Sequence, residues 1–119
     1  QIVENEIIEK ICFCALNSEY QNKMNAIKFI IALFQKSDKE LCQIAINNNG
    51  IQSFFDNFDT FEKEMFAAAV QSLITYLSAN PDKKELFSTF DIDKLANEID
   101  QKDDDEMYNQ GQILMSLIK

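Results

Sequence analysis

The chain has 119 residues, of which 46% are hydrophobic, and it carries a net charge of −9 with no histidine and no arginine. This length corresponds to one domain with a buried core, and no apolar run approaches the roughly 20 residues of a membrane-spanning helix. An acidic chain repels phosphate backbones and anionic lipids, so nucleic acids and membranes are disfavoured as partners and basic protein segments are favoured.

The residue types that the chain lacks argue against enzymatic activity. Without histidine, the commonest general base and the commonest nitrogen ligand of zinc are missing. No glycine-rich phosphate loop is present. The acidic run 103–106 lacks the ligand spacing and the central glycine of a calcium loop, and it favours a helix N-terminus instead. We therefore expect no catalytic site, no cofactor and no metal.

The three cysteines do not form a disulfide framework, because their number is odd and their spacing is irregular. Cys12 and Cys14 lie two residues apart on a predicted helix, about 200° around its axis, which disfavours a shared metal ion. We expect Cys12, Cys14 and Cys42 to be small buried hydrophobes in a reducing compartment, the cytoplasm or alternatively the nucleus.

Helix start and stop signals divide the chain into helical segments with very short connections. Candidate capping residues recur along the chain at Ser18, Ser37, Asp59, Asp91 and Asp103. Pro81 follows Asn80 at a first helical position, and Gly50 is available for a left-handed helix stop. The predicted helices cover residues 2–16, 18–36, 38–47, 51–57, 60–79, 81–89, 92–99 and 104–118.

The helices repeat with a period of 44 residues. The runs Asn25–Leu33 and Ala69–Leu77 align so that Ile30 matches Ile74, and each run is followed by a turn rich in lysine and acidic residues. A truncated third copy covers Ile113–Leu117. Self-similarity at this period is typical of stacked helical repeats, which build extended surfaces that hold other proteins.

The order long, short, short, long resembles the armadillo repeat. The resemblance rests on the turn at Leu77–Leu86, which contains Asn80-Pro81, and on the corner at Ile44–Ile51, which contains Gly50. It implies an all-α, right-handed solenoid of about two and a half to three armadillo-like three-helix repeats. We expect one domain over residues 1–119, with units at about 1–36, 37–79 and 80–119, as a segment of a longer protein. HEAT repeats are the alternative.

In armadillo proteins the third helices line the concave face, so the resemblance places 18–36, 60–79 and 104–118 there. Family members that bind basic import peptides carry a tryptophan and an asparagine on this helix. The matching positions in this chain are Lys28 and Ala32, Ser72 and Tyr76, and Gln112 and Ser116. None of the six is tryptophan or asparagine, so the resemblance does not extend to import-signal binding.

Eight side chains are predicted to meet a protein or peptide partner in this groove: Lys28, Ile31, Ser72, Thr75, Tyr76, Tyr108, Gln112 and Met115. Tyr76 is the expected anchor, because tyrosine is enriched among residues that dominate binding energy. Packing against neighbouring repeats remains the alternative for Ile31 and Met115. The phenylalanines of the middle and later part of the chain are expected to pack between successive units.

The sequence thus predicts a non-enzymatic protein–protein interaction scaffold or adaptor segment that binds a partner on the concave face lined by the long helices. The alternative is a structural or dimerising solenoid cap of a larger cytoskeletal regulator or chaperone cofactor, with no ligand in the groove. A homodimer is compatible with this second hypothesis.

Overall fold

The computed structural model describes residues 2–36 and 38–118, and it shows helices joined by short turns, with no β-strand in these ranges. The α-helices are α1 (Ile2–Asn17), α2 (Tyr20–Lys36), α3 (Lys39–Asn47), α4 (Gly50–Asn57), α5 (Lys63–Ala79), α6 (Ile92–Gln101) and α7 (Asp105–Ile118). Two 3-10 segments, Phe58–Thr60 and Pro81–Thr89, precede α5 and α6. The prediction of an all-α chain is confirmed.

Aspartate side chains cap three helices. The Oδ1 atom of Asp38 accepts a hydrogen bond from the backbone N–H of Leu41 at 3.1 Å. The same bond joins Asp91 to Lys94 at 3.0 Å, which confirms the predicted cap of α6. At α7 the cap is Asp104, one residue later than predicted, which accepts from the N–H of Met107 at 2.9 Å. The predicted cap Ser37 lies outside the described residues.

The start of α5 differs from the prediction. Residues 58–60 form a 3-10 turn, and α5 begins at Lys63 rather than near Asp59. The turn buries Phe58 completely and leaves Phe61 4% exposed. Burial of these two rings outweighs the capping signal of Asp59, because a capping bond contributes about 1 kcal/mol and burying a phenylalanine contributes about 1.5–3 kcal/mol.

At the corner between α3 and α4, the residue with the left-handed backbone conformation differs from the one predicted. Asn49 adopts the left-handed conformation, with φ of 66°, whereas Gly50 is the first residue of α4 and has a negative φ. Gly50 is needed for another reason. A Cβ atom at this position would lie 3.0 Å from the carbonyl oxygen of Ala45 and 3.3 Å from its Cβ. The glycine therefore allows α4 to start in close contact with α3.

The long helices lie side by side. α1 packs against α2, α2 against α5, and α5 against α7, while α3 and α4 contact α1 on another side. α1 leads directly into α2, whereas α3, α4 and the turn Phe58–Thr60 separate α2 from α5, and Pro81–Thr89 and α6 separate α5 from α7. The Cα atoms span 41 × 33 × 23 Å.

Aromatic side chains fill the space between these elements. Phe34 of α2 contacts Phe54 and Tyr76 edge-on, with ring centroids 6.1 and 5.2 Å apart. A second group of rings closes the end of the core near the start of α5: Phe55, Phe58, Phe61, Phe66, Phe87 and Phe90. These rings are buried, except for the half-buried Phe90, so the prediction that they form core contacts is confirmed.

Candidate functional site

A shallow groove runs across α2, α5 and α7. It consists of two adjoining clefts of about 360 and 470 Å³ that share Gln35, Glu64 and Ala68. We call it the long-helix groove and define it by the residues that each helix contributes: Lys28, Ala32 and Gln35 from α2, Glu64, Ala68 and Gln71 from α5, and Glu106 and Gln110 from α7.

Small side chains create the groove. Ala32, Ala67 and Ala68 line it, and their short side chains let the surface recede between neighbouring helices. Ile31 and Met65 add apolar surface at the α2–α5 cleft. The groove can therefore accept the backbone of an extended chain or the methylene stems of long side chains.

Each of the helices α2, α5 and α7 places one glutamine in the groove. These residues are Gln35 on α2, Gln71 on α5 and Gln110 on α7. A primary amide carries both donors and an acceptor, so it can pair with the N–H and the C=O of an extended peptide backbone. The three amides give the groove a means of binding a backbone regardless of its sequence.

The groove carries an excess of negative charge. Its carboxylates are Glu62, Glu64, Asp104 and Glu106, and its cations are Lys28 and Lys63. The Nζ atom of Lys63 lies 2.6 Å from Oδ2 of Asp104, and this pair joins the first residue of α5 to the residue that caps α7.

The Lys63–Asp104 pair shifts the pKa of both groups. Its hydrogen bond and charge raise the pKa of Lys63 and lower the pKa of Asp104. With Lys63 matched by Asp104, three glutamates face one lysine in the rest of the groove. A ligand that carries positive charge therefore fits best.

Tyr76 and Ser72 are buried, and the prediction that they bind a partner is wrong for both. Tyr76 is 1% exposed, and its ring packs against Phe34. Burial raises the pKa of its phenol to about 12. Ser72 is completely buried, with its Oγ donating to the carbonyl of Ala69 at 2.7 Å. Ile31 is 5% exposed and contributes only the groove floor.

Two predicted residues lie on the groove side. Lys28 is exposed and lines the α2–α5 cleft. Thr75 is half-buried, and its Oγ1 donates to the carbonyl of Gln71 at 3.0 Å. Because Thr75 follows Gln71 by four residues and Ala68 by seven, it continues their face of α5.

The three residues predicted on α7 lie on another face of that helix. Gln112 is two residues from Gln110, which places the two side chains about 200° apart around the axis. Tyr108 and Met115 are four residues before and three after Gln112, so they share its face. Tyr108 is 49% exposed and Met115 is half-buried. Tyr108, Gln112 and Met115 therefore line neither cleft of the long-helix groove.

The sequence contained a signal that the prediction missed. Lys28, Ala32 and Gln35 are spaced at i, i+4 and i+7, and Glu64, Ala68 and Gln71 repeat the same order of charge, alanine and glutamine. Residues with this spacing share one helix face. The pattern appears on two of the stacked helices and marks the groove side of both.

The thiols lie outside the groove residues. Cys12 and Cys42 are completely buried, as predicted, and burial raises the pKa of each to about 11. The Sγ of Cys42 donates to the carbonyl of Leu33 at 3.6 Å. Cys14 is only half-buried. Depressed thiol pKa values mark nucleophilic cysteines, and Cys12 and Cys42 show the opposite shift.

Within residues 2–36 and 38–118, no group of three or more histidine, cysteine, aspartate and glutamate side chains is placed to hold a metal ion. No helix in this part of the chain is both long and apolar enough to cross a membrane. Comparisons with protein-family models, with curated proteins and with solved structures give no match.

Proposed function

We propose that this chain is a non-enzymatic interaction module that holds an extended segment of a protein partner in the long-helix groove. The observation that carries the proposal is that Gln35, Gln71 and Gln110, which come from three different helices, line the same open cleft. Three amides in one open cleft suit a peptide backbone better than a small, enclosed ligand.

The order of the elements supports an armadillo-like solenoid as the scaffold for this groove. Short elements separate α2 from α5 (α3, α4 and the turn Phe58–Thr60) and α5 from α7 (Pro81–Thr89 and α6), while α2, α5 and α7 lie next to one another. We propose that this order reflects a right-handed stack of about two and a half to three three-helix units. In such a stack each unit contributes one long helix to a shared surface, which lengthens with every repeat.

Charge complementarity favours a partner segment with lysine or arginine side chains. The methylene stems of such side chains would lie over Ala67, Ala68 and Met65, while their charged ends reach Glu64 or Glu106. The chain as a whole has a net charge of −9, which speeds the encounter with a basic segment at low ionic strength. We place this activity in the cytoplasm, since the chain carries three free thiols.

A test uses a phage-displayed library of random peptides as the probe. Peptides selected on the wild-type chain should be enriched in lysine and arginine. They should bind Ala68→Arg at least tenfold more weakly, because the added side chain fills the middle of the groove. Asn97→Arg adds the same charge at an exposed position of α6 and serves as the matched control. Equal binding to wild type and to Ala68→Arg would overturn the proposal.

A further inference from the structure

A second cleft lies between α1 and α2, on a different side of α2 from the long-helix groove. Its volume is about 420 Å³. We call it the hairpin cleft and define it by its lining residues: Lys10, Ile11, Cys14, Asn22, Asn25, Ala26 and Phe29. Phe29 lies about 200° around α2 from Ile31, which lines the groove. The two surfaces can therefore be occupied independently.

The hairpin cleft exposes large apolar side chains that the core does not cover. Phe29 is 44% exposed at its edge. Ile7, one helical turn before Ile11, is 49% exposed and extends the apolar surface along α1. The chain buries Ile27 and Ile30 of the same helix completely, so these exposed side chains form a localised apolar patch. Such a patch is typical of an interaction site.

The charge around the cleft identifies where two acidic molecules can meet. The chain has 20 acidic residues, yet none of the lining residues that the structure describes is a carboxylate, and Lys10 is the one charged side chain among them. Two copies with a net charge of −9 each repel one another, and the repulsion is weakest where carboxylates are missing. Glu6 and Glu9 are exposed on α1 next to Lys10, so the rim carries both signs of charge.

The polar residues of the cleft suit a symmetric partner. A two-fold interface brings the same patch of both copies together, so a charged side chain near the axis would meet its own charge. Asn22 and Asn25 avoid this conflict near the axis, because an amide has a donor and an acceptor and can pair with a second amide, and this arrangement places Lys10 away from the axis. We propose that the hairpin cleft joins two copies of this chain in a symmetric dimer.

The size of the surface predicts a weak dimer. A hairpin of helices with 16 and 17 residues is about 24 Å long and about 20 Å wide, which corresponds to about 480 Å² per copy. A standard stable interface buries about 800 Å² per partner. We therefore expect dissociation constants of tens of micromolar or higher, and a monomer at low concentration.

Analytical ultracentrifugation tests the dimer from about 10 to 500 µM protein. Wild type should shift from monomer toward dimer across this range, and Phe29→Glu should weaken the association at least tenfold. Phe13→Glu is the matched control, because Phe13 is 67% exposed on the same hairpin but lines a different cleft. Circular dichroism verifies that both variants are folded.

Three results would overturn the dimer or its location. Wild type that stays monomeric at all concentrations would show that another molecule or segment covers the cleft. Phe29→Glu that associates like wild type, or loss of association in Phe13→Glu alone, would place the contact elsewhere.

The thiols offer an independent test of the location. Cys12 and Cys42 are completely buried, so Cys14 is the thiol that a reagent can reach in the folded chain. A long, flexible bis-maleimide should link two wild-type copies through Cys14. The covalent dimer should be lost in Cys14→Ala and reduced at least tenfold in Phe29→Glu. A yield that is independent of Phe29 would contradict the proposed interface.

Discussion

The backbone of Gly111 on α7 lies directly against the side chain of Ile99 on α6. A Cβ atom at Gly111 would come within 2.6 Å of Cδ1 and 2.9 Å of Cγ2 of Ile99. Both residues are buried. A glycine inside a helix costs about 1 kcal/mol relative to alanine. Here that cost is offset by the close approach of α6 and α7, which no larger residue permits.

Gly111→Ala should therefore destabilise the chain in spite of its better helix propensity. Overpacking against the stiff, β-branched Ile99 costs about 1–3 kcal/mol, and the propensity gain is about 1 kcal/mol. We expect a net loss of about 1 kcal/mol in the free energy of unfolding, measured by urea denaturation. In an Ile99→Ala background, which removes the clash, the same change should stabilise. A stabilising Gly111→Ala in the wild-type background would contradict the close contact.

Tyr76→Ala should act on stability rather than on binding. The ring is buried against Phe34, so its removal leaves a cavity, and changes of this kind cost about 3–5 kcal/mol. Tyr108→Ala is the control, because Tyr108 is 49% exposed, and we expect a change within about 0.5 kcal/mol. Equal unfolding midpoints in urea for the two variants would show that Tyr76 is not part of the core.

Lys102 joins three elements at the end of the core. Its Nζ donates to the carbonyl of Phe61 at 3.2 Å, lies 3.8 Å from Oε2 of Glu98, and sits 5.1 Å from the ring centroid of Phe66. The Glu98 residue is 8% exposed, so loss of the lysine leaves a buried carboxylate without its cation.

Lys102→Met should lower the free energy of unfolding by about 2–4 kcal/mol at neutral pH, because an unpaired buried charge costs more than the pair contributes. Adding Glu98→Leu should recover most of this loss, since the second change removes the charge. Chemical denaturation of the two variants measures both effects. A double variant as unstable as the single one would argue against direct coupling of the two residues.

Much of the helix pattern was predictable because its signals are local. Asp91 and Pro81 each act on the nearest few backbone groups, and they mark element starts without knowledge of the rest of the fold. The start of α5 was not predictable in this way. It depends on burial of Phe58 and Phe61 in the core, which includes contact of the turn Phe58–Thr60 with α6, an element distant in the sequence.

The groove face was mispredicted because it depends on the rotation of each helix within the stack. The 44-residue repeat aligns Lys28 with Ser72, but the structure places Lys28 in the same groove as Glu64, eight residues earlier. Eight residues correspond to a rotation of about 80°. Ser72 resembles a surface residue, yet it is buried, and its hydroxyl donates a hydrogen bond to the carbonyl of Ala69 in the same helix. Ala68 resembles a core residue, yet it lines the groove.

Stability should fall at alkaline pH because of the buried thiols. Burial raises the pKa of Cys12 and Cys42 from 9.0 to about 11. Unfolded thiols therefore lose their protons at a lower pH than folded ones, so the unfolded state is favoured as pH rises from about 9 to 11. Each thiol lowers the free energy of unfolding by up to about 1.4 kcal/mol per pH unit in this window.

Urea denaturation at pH 8, 9 and 10 on the wild type and on the Cys12→Ala, Cys42→Ala double variant measures this effect. The double variant should be less stable at pH 8 because it loses packing, but its stability should decline less between pH 9 and 10. Parallel declines in the two proteins would contradict burial of the thiols. Burial also raises the pKa of Tyr76, to about 12. Ionisation of Tyr76 therefore lowers the free energy of unfolding only at higher pH than that of the thiols.

The most direct test of the groove compares two glutamines on one helix. Gln110 lines the groove and Gln112 lies on the opposite side of α7, so Gln110→Ala and Gln112→Ala differ only in the face that they alter. Affinity for a peptide selected on the wild type is measured by isothermal titration calorimetry. We expect Gln110→Ala to weaken binding about three- to tenfold, the value of one to two hydrogen bonds, and Gln112→Ala to bind like wild type. Loss of affinity in Gln112→Ala with none in Gln110→Ala would contradict the proposed groove.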